Sequence, residues 1–288
     1  MLTALDTVIQ GVMLGAIYAL FALGLSLMFG VMRLVNTAHG DFVILAAFMS
    51  IAVTSMTGLS PFASIAITVP LCFVLGYALQ RGILNPLIGR DALPSIVVTF
   101  GISILIQNGL MEAASADTRS IPAQGLEVAS VPLGGGLAVG GLSLLILVVA
   151  LLATAGFDWM MRRTRVGKAF RAVSDDAQTA ALMGIDSRHL FGLATGIALG
   201  LLGAAGVLLA MRTSIAPSDG PAQLIFAFEA VIIGGLGSFW GTFAGALVLG
   251  LAQSVGSRID PGWGALAGHL VFLTVLMMKP LGLFPKTR

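Results

Sequence analysis

The sequence predicts an all-α protein, a polytopic bundle of about eight or nine transmembrane helices. Hydrophobic residues make up 57% of the 288-residue chain and charged residues only 10%, whereas soluble domains carry roughly 25% charged residues. Several apolar runs exceed the roughly 20 residues that an α-helix needs to cross a bilayer. The runs are continuous, whereas β-barrel strands would show short alternating segments. We therefore expect a multi-pass protein of the inner (plasma) membrane.

Composition also excludes other classes of protein. The formal net charge is only +2, and no basic patch is large enough to indicate nucleic-acid binding. The single cysteine, Cys72, lies in an apolar run, so an intrachain disulfide framework is impossible. Because the first residues lack the basic region of a cleaved signal peptide, we expect the first apolar run to be retained as a span.

The apolar runs give the expected spans in chain order: 7–31, 42–57, 62–80, 94–111, 140–161, 189–211 and 263–278. Between the last two, residues 222–255 hold a short apolar piece, about 222–236, and a further run that ends near Ser254. This region crosses the membrane once, crosses it twice, or re-enters. The count of eight or nine spans reflects these alternatives.

The distribution of basic residues predicts which loops are cytoplasmic, because such loops carry an excess of Lys and Arg. Arg81 and Arg90 mark one cytoplasmic loop, and segment 162–188 has a net charge of +3. The turn-rich loop 112–139 has a net charge of −2 and is expected on the outer side. The tail after the last span is also expected in the cytoplasm, and its cations are Lys279, Lys286 and Arg288.

The polar segment 162–188 cannot face lipid, because each charge at mid-bilayer costs roughly 2.5–3.5 kcal/mol. Ser174-Asp175-Asp176 is a plausible helix start. Small residues then recur at three- and four-residue spacing, which predicts a short helix with a smooth face; they are Ala177, Ala180, Ala181 and Gly184. Such a face suits close approach by another surface. The alternative is a solvated loop that only fixes topology.

A second polar segment, 33–41, separates the first two spans. Asn36, His39 and Gly40 would share one face of a helix. Spacing favours a connecting turn in which Asn36 or Thr37 caps the next helix, with Asp41 near its positive end. The alternative is a broken helix that lines a polar path, because irregular backbone at membrane depth is tolerated only beside a cavity.

Two sets of glycines at four-residue intervals predict tight helix–helix contacts. They are Gly192, Gly196 and Gly200 in one run, and Gly237, Gly241 and Gly245 in another.

No catalytic constellation is found in the sequence. The three histidines fall in separate segments without metal-ligand spacing. The nucleophile-elbow, zincin and P-loop motifs are absent, so the chain has no ATPase site of this kind, and we expect neither an enzyme nor a cofactor or metal.

Three segments resemble the branched-chain amino acid ABC importer permeases. They are LMFGVMRLVNTAHGD at 27–41, RVGKAFRAVSDDAQTAALMGID at 165–186 and AVIIGGLGS at 230–238. The resemblance extends along nearly the whole chain, with the three patterns in the right order. It is strongest to the shorter, LivH-like subunit of the two permeases that pair in this system.

The resemblance implies a single transmembrane permease domain, 1–288, that carries branched-chain amino acids or related solutes such as amides or urea. It implies alternating access driven by two cytoplasmic ATPases, which bind the ATP, together with a sister permease and an extracytoplasmic solute-binding protein. It also implies that 162–188 is the coupling segment that docks on an ATPase. The candidate coupling residues are Gly167, Arg171, Asp176, Ala180, Ala181 and Gly184.

Thr37 and Glu229 depart from the family pattern, in which a bulky apolar residue is expected at 37 and a small or weakly polar one at 229. Glu229 lies in a short apolar piece, where a carboxylate facing lipid would be costly, so we expect it to face the bundle interior. Asn36 and His39 are candidate neighbours. Glu229 either forms a hydrogen bond across a helix seam or, with Asn36, His39 and Gly40, lines the solute path.

Two rival functions make different predictions. A secondary transporter would work from this chain alone, with Glu229 as a proton carrier. A channel-like facilitator would give gradient-driven flux without a solute-binding protein.

Overall fold

The computed structural model describes residues 2–89, 92–134 and 137–284, so Arg90, Lys286 and Arg288 lie outside the described residues. Within them the chain forms eleven α-helices and one β-hairpin. The helices are α1 (Leu2–Met32), α2 (His39–Thr57), α3 (Pro61–Leu79), α4 (Ala92–Ala114), α5 (Gly141–Arg163), α6 (Arg165–Asp175), α7 (Ala177–Leu182), α8 (Ser187–Arg212), α9 (Gly220–Gly234), α10 (Phe239–Ile259) and α11 (Trp263–Met278).

Seven helices, of 19 to 30 residues, are long and apolar enough to cross a membrane. They are α1, α2, α3 with its extension to Leu87, α4, α5, α8 and α10. Two further predicted runs form shorter helices: the piece at 222–236 is α9 with 15 residues, and the run at 263–278 is α11 with 16. The predicted all-α bundle is confirmed.

The centre of the bundle is formed by α1 and α8. In their most apolar stretches 83% and 78% of the residues are buried, against 22% in α3, α4 and α5. A helix that is apolar all round is typical of such a central position. On α1, Gly11 and Gly15 pack directly against Gly250 of α10, so that the two backbones touch.

The glycines of α8 lie along its contact with α3. Gly192 faces the ring of Tyr77, and Gly196 and Gly200 face Phe73. This seam holds an outer helix against the central helix α8.

Residues 222–255 form two antiparallel helices, α9 and α10, joined by a turn at 235–238. Gly241 packs against Gly234, and Gly245 against Ala230. The prediction that Gly237 continues this helical row is wrong, because it lies in the turn with φ of 79°. A left-handed conformation suits glycine there.

The ends of the bundle agree with the charge distribution. Arg81 at the end of α3 and Asp186 at the start of α8 are 3.6 Å apart, so their loops lie at the same end. At the other end, the amide of Arg119 donates to the carbonyl of Ile215 at 2.8 Å. The loop 112–139 is not wholly irregular as predicted, since it leads into a hairpin of β1 (Ser130–Gly134) and β2 (Leu137–Gly140).

Candidate functional site

Two helices begin inside the bundle and meet at their N-termini. His39, the first residue of α2, places its Nε2 atom 2.9 Å from the carbonyl oxygen of Phe21 in the middle of α1. Gly220, the first residue of α9, lies against Gly40. A Cβ on Gly40 would overlap the Gly220 carbonyl, so the close approach requires glycine there.

The segment before α2, residues 33–38, is non-helical, and Asn36 within it is fully buried. The Asn36 side-chain oxygen accepts from the amide of Ala38 at 3.0 Å, and its carbonyl accepts from the amide of His39 at 3.2 Å. Asn36 therefore does not share a helix face with His39 and Gly40, so that prediction is wrong. Neither Asn36 nor Thr37 caps α2, since the N-cap is Ala38 and it forms no side-chain cap bond. The Thr37 hydroxyl instead pairs with that of Thr99 at 2.8 Å.

Asp41 lies between the positive ends of the two helices. Its side chain is buried in the first turn of α2, and one oxygen lies against Gly220 of α9 and accepts from Gln107 Nε2 at 3.0 Å. The partial positive charge of both helix N-termini stabilises a carboxylate at this position. From the sequence, Asp41 was expected only near the start of α2. Its contacts with the start of α9 and with Gln107 were not predicted.

Several polar atoms around the start of α2 are buried without a hydrogen bond. Among the described residues these include Asn36 Nδ2, His39 Nδ1 and the second oxygen of Asp41. Unpaired buried groups cost about 1–3 kcal/mol each, so they indicate bound water, a ligand or a second conformation.

Glu229 faces the bundle interior as predicted, with 5% of its surface exposed. Its predicted neighbours are wrong, because the hydrogen-bonding partner is His269 on α11, at 2.5 Å. Beside it, Tyr18 donates to Gln253 at 2.7 Å. The ring of Phe226 lies between, with its centroid 4.9 Å from that of Tyr18 and 6.3 Å from that of His269. These side chains join α1, α9, α10 and α11.

The polar segment 162–188 contains two short helices, α6 and α7, instead of the single one predicted. Thr164 caps α6 by accepting from the amide of Gly167, and Asp176 caps α7 by accepting from Gln178 and Thr179. These bonds, above all the one from the Thr179 hydroxyl, hold the pKa of Asp176 below its ordinary value. The prediction of a helix start at Ser174-Asp175-Asp176 is correct only for α7.

The smooth small-residue face predicted for this segment is wrong. Ala180 is buried, and Gly184 lies beyond the end of α7 in a left-handed conformation, with φ of 81°. Ala181 is exposed. The apolar side chains that face outward are instead Leu182 and Met183, which are 87% and 80% exposed. The signal that could have found them is an adjacent apolar pair inside a polar segment.

The remaining candidate coupling residues occupy different positions on α6. Gly167, in the first turn of α6, packs against the backbone of Met160 and Met161 at the end of α5, whereas Arg171 is exposed. The hydroxyl of Ser174 donates to the carbonyl of Gly30 at 2.7 Å, which ties α6 to the end of α1.

The comparison with known proteins decides the family. A family profile described as "Branched-chain amino acid transport system / permease component" matches residues 7–278. The chain belongs to this family. It is a multi-pass membrane permease.

Three curated relatives cover nearly the whole permease. The "High-affinity branched-chain amino acid transport system permease protein BraD" of Pseudomonas aeruginosa is 30% identical over 97% of this chain and 95% of its own. The corresponding LivH protein of Escherichia coli is 26% identical over 97% and 94%. The "Probable branched-chain amino acid transport permease protein LivH" of Methanocaldococcus jannaschii is 26% identical over 92% and 87%. These relatives are transport permeases, not enzymes.

Proposed function

We propose that this permease is a membrane subunit of an ABC importer for branched-chain amino acids or related small solutes such as amides or urea. The observation that carries the proposal is the match of almost the entire chain to permeases of such systems. The solute crosses by alternating access, and separate ATPase subunits bind the ATP that drives it. The permease itself needs no cofactor.

The proposed complex contains a sister permease, two cytoplasmic ATPases and an extracytoplasmic solute-binding protein. The ATPase docks on α6 and α7, where Leu182 and Met183 offer the apolar contact. Burying two such side chains stabilises an interface by roughly 1.5–3 kcal/mol each. The solute-binding protein docks at the opposite end of the bundle, beside the β-hairpin.

A continuous set of contacts supports transmission of ATPase motion to the membrane core. A displacement of α6 acts on α5 through Gly167 and on α1 through the hydrogen bond from Ser174 to Gly30. Because α1 is one uninterrupted helix, it carries the motion to Phe21, whose carbonyl contacts His39 at the start of α2.

The solute path in this proposal runs beside the starts of α2 and α9. The unpaired polar atoms of Asn36, His39 and Asp41 support it, because they offer hydrogen bonds that the surrounding protein leaves unused. Gly40 permits the close approach of the two helix starts. The hydrogen bond to His269 favours a role for Glu229 in holding α9 against α11 over a role in lining the solute path.

Substitution of the exposed pair tests the coupling. Leu182→Ser with Met183→Ser should leave membrane insertion unchanged, because both side chains project outward, and should abolish solute-stimulated ATP hydrolysis in the reconstituted complex. Val128→Ser is the matched control, since Val128 is 82% exposed at the opposite end. Normal stimulated hydrolysis in the double variant would remove α7 from the coupling role.

A further inference from the structure

A cavity of about 750 Å³ opens at the cytoplasmic end of the bundle, beside the coupling segment. Its walls come from the end of α5, from α6, and from the turn that leads into α10. Buried Met161 and Phe239 form its apolar floor. The volume lies within the roughly 300–1,000 Å³ of pockets that bind small ligands.

The charge on the cavity wall favours an anion. Arg162 donates to Asp158 at 2.8 Å, so that pair is close to neutral. Arg171 also lines the cavity, and no carboxylate of the described residues lies within 4.0 Å of it. One uncompensated guanidinium therefore faces the space, in a geometry that suits two hydrogen bonds to one phosphate.

The start of α10 adds a second source of positive potential. The cavity is lined by Gly237, Ser238 and the first turn of this helix, up to Gly241. Ser238 accepts the amide of Gly241 at 3.1 Å, whereas the first amides of a helix have no intrahelical acceptor. The positive end of a 21-residue helix thus points to the same cavity as Arg171.

The ends of two membrane-crossing helices place the cavity near the boundary between membrane and water. The membrane-crossing helix α5 ends at this wall and the membrane-crossing helix α10 begins there. Two aromatic side chains on the wall are about half exposed, Trp240 at 46% and Phe284 at 54%. Trp159, which follows Asp158 in the last turns of α5, is 63% exposed. Exposed tryptophans are typical of the boundary between hydrocarbon and water.

We propose that this cavity binds the phosphate-bearing headgroup of an anionic phospholipid from the cytoplasmic leaflet. Arg171 and the start of α10 contact the phosphate, Arg162 lies at the edge, and the first acyl carbons pack on Trp240 and Phe284. Basic pockets between transmembrane helices on the cytoplasmic side are suited to such headgroups. Inorganic phosphate shares the charge but lacks the acyl chains that the aromatic residues would contact.

The proposed lipid site is separate from the exposed apolar pair on α7. Leu182 and Met183 do not line the cavity, and neither does any other residue of α7. An ATPase that contacts Leu182 and Met183 and a lipid in the cavity would therefore use different side chains, although α6 adjoins both. Lipid composition would act directly on α5 and α10 and on α6, which is itself part of segment 162–188.

Fluorescence quenching of Trp240 tests the proposal. The full-length permease with Trp159→Phe and Trp263→Phe keeps Trp240 as its only tryptophan, since the chain has three. Detergent-solubilised protein is titrated with brominated phosphatidylglycerol or brominated phosphatidylcholine of the same chain length. Both lipids carry the phosphate, but the quaternary ammonium of phosphatidylcholine cancels its net charge and is repelled by Arg171. We therefore expect phosphatidylglycerol to quench at a concentration about tenfold lower than phosphatidylcholine, a difference of about 1.4 kcal/mol. Arg171→Gln should remove that preference.

The control is Arg165→Gln, which removes one exposed cation of α6 that does not line the cavity. It should keep the preference for phosphatidylglycerol. Equal quenching by both lipids in the parent protein, or equal loss in both arginine variants, would overturn the proposal. So would displacement of phosphatidylglycerol by a moderate excess of inorganic phosphate, because the site would then recognise the free anion. Loss of ATPase coupling in Arg171→Gln with unchanged lipid preference would assign the cavity to the ATPase instead.

Discussion

At the scale of single residues, Gly40 and Gly220 determine how closely α2 and α9 approach. A Cβ on Gly40 would meet backbone atoms of α9, which cannot swing aside as a flexible side chain can. Forcing atoms into such a packed contact typically costs about 1–3 kcal/mol.

We expect Gly40→Ala to lower the thermal unfolding midpoint of the detergent-solubilised permease and to impair solute uptake by the assembled transporter. Gly101→Ala is the matched control, because Gly101 is also helical but its added methyl group would meet nothing within 4 Å. There alanine should be neutral or slightly stabilising. An equal midpoint for the two variants would show that the contact at Gly40 relaxes without cost.

The bond between Glu229 and His269 gives a second prediction at this scale. Glu229→Gln keeps a side chain that can bond His269, so we expect normal assembly and transport. Glu229→Leu leaves the polar side chains of the cluster without this partner and should lower the free energy of unfolding by about 1–3 kcal/mol. The measurement is denaturant unfolding alongside uptake across pH. Altered, pH-dependent uptake by Glu229→Gln in a stable protein would instead place Glu229 in the solute path.

At the scale of secondary-structure elements, α7 depends on its cap. Hydrogen bonds from the Thr179 hydroxyl, the Thr179 amide and the Gln178 amide lower the pKa of Asp176 below its ordinary value of 3.8. A lowered pKa in the folded state means that the charged cap stabilises α7 above the ordinary pKa. That stabilisation is lost as the pH falls through the lowered pKa.

Hydrogen exchange of the α7 amides measures this effect. Asp176→Ala should accelerate exchange at residues 178–182 at neutral pH, because an N-cap acceptor is lost. Asp176→Asn keeps a hydrogen-bond acceptor, so the α7 amides should retain most of their protection from exchange. Because asparagine does not titrate, this protection should not fall at acid pH. Unchanged exchange in Asp176→Ala would show that packing of Ala180, and not the cap, holds the helix.

The elements also show what the sequence could and could not predict. Apolar runs found every long helix within a few residues, because membrane burial acts on each segment independently. The N-caps Thr164 of α6 and Asp186 of α8, which were not singled out from the sequence, also accept hydrogen bonds from amides in the first turn of their own helices. The meeting of Gly40 with Gly220, about 180 positions apart, and of Glu229 with His269, depends on how helices pack. No local spacing encodes these pairs.

The polar segment 162–188 illustrates the same limit. Its charge correctly indicated a polar region at the end of the bundle, yet the spacing of Ala180 and Gly184 suggested an open small-residue face. The structure buries Ala180 because Ile185 returns beneath it, its amide donating to the Ala180 carbonyl at 3.1 Å. The glycine at 184 makes that reversal possible through its left-handed conformation.

At the scale of the whole molecule, contacts join segment 162–188, the proposed coupling segment, to two helix starts in the bundle core. The connection runs from α6 along α1 to α2 and α9, and each contact in it is a backbone approach or a hydrogen bond. Such a path transmits a displacement but supplies no energy. Under the proposed function, transport therefore requires partner ATPases to supply the energy.

Uptake by proteoliposomes tests that requirement most directly. Vesicles that contain this permease with its sister permease, the two ATPases and the solute-binding protein should accumulate radiolabelled leucine only when ATP is present on the ATPase side. Vesicles that contain this permease alone should show no accumulation, with or without a proton gradient. Accumulation by the permease alone under a proton gradient, or equilibration of leucine without ATP and binding protein, would contradict the account.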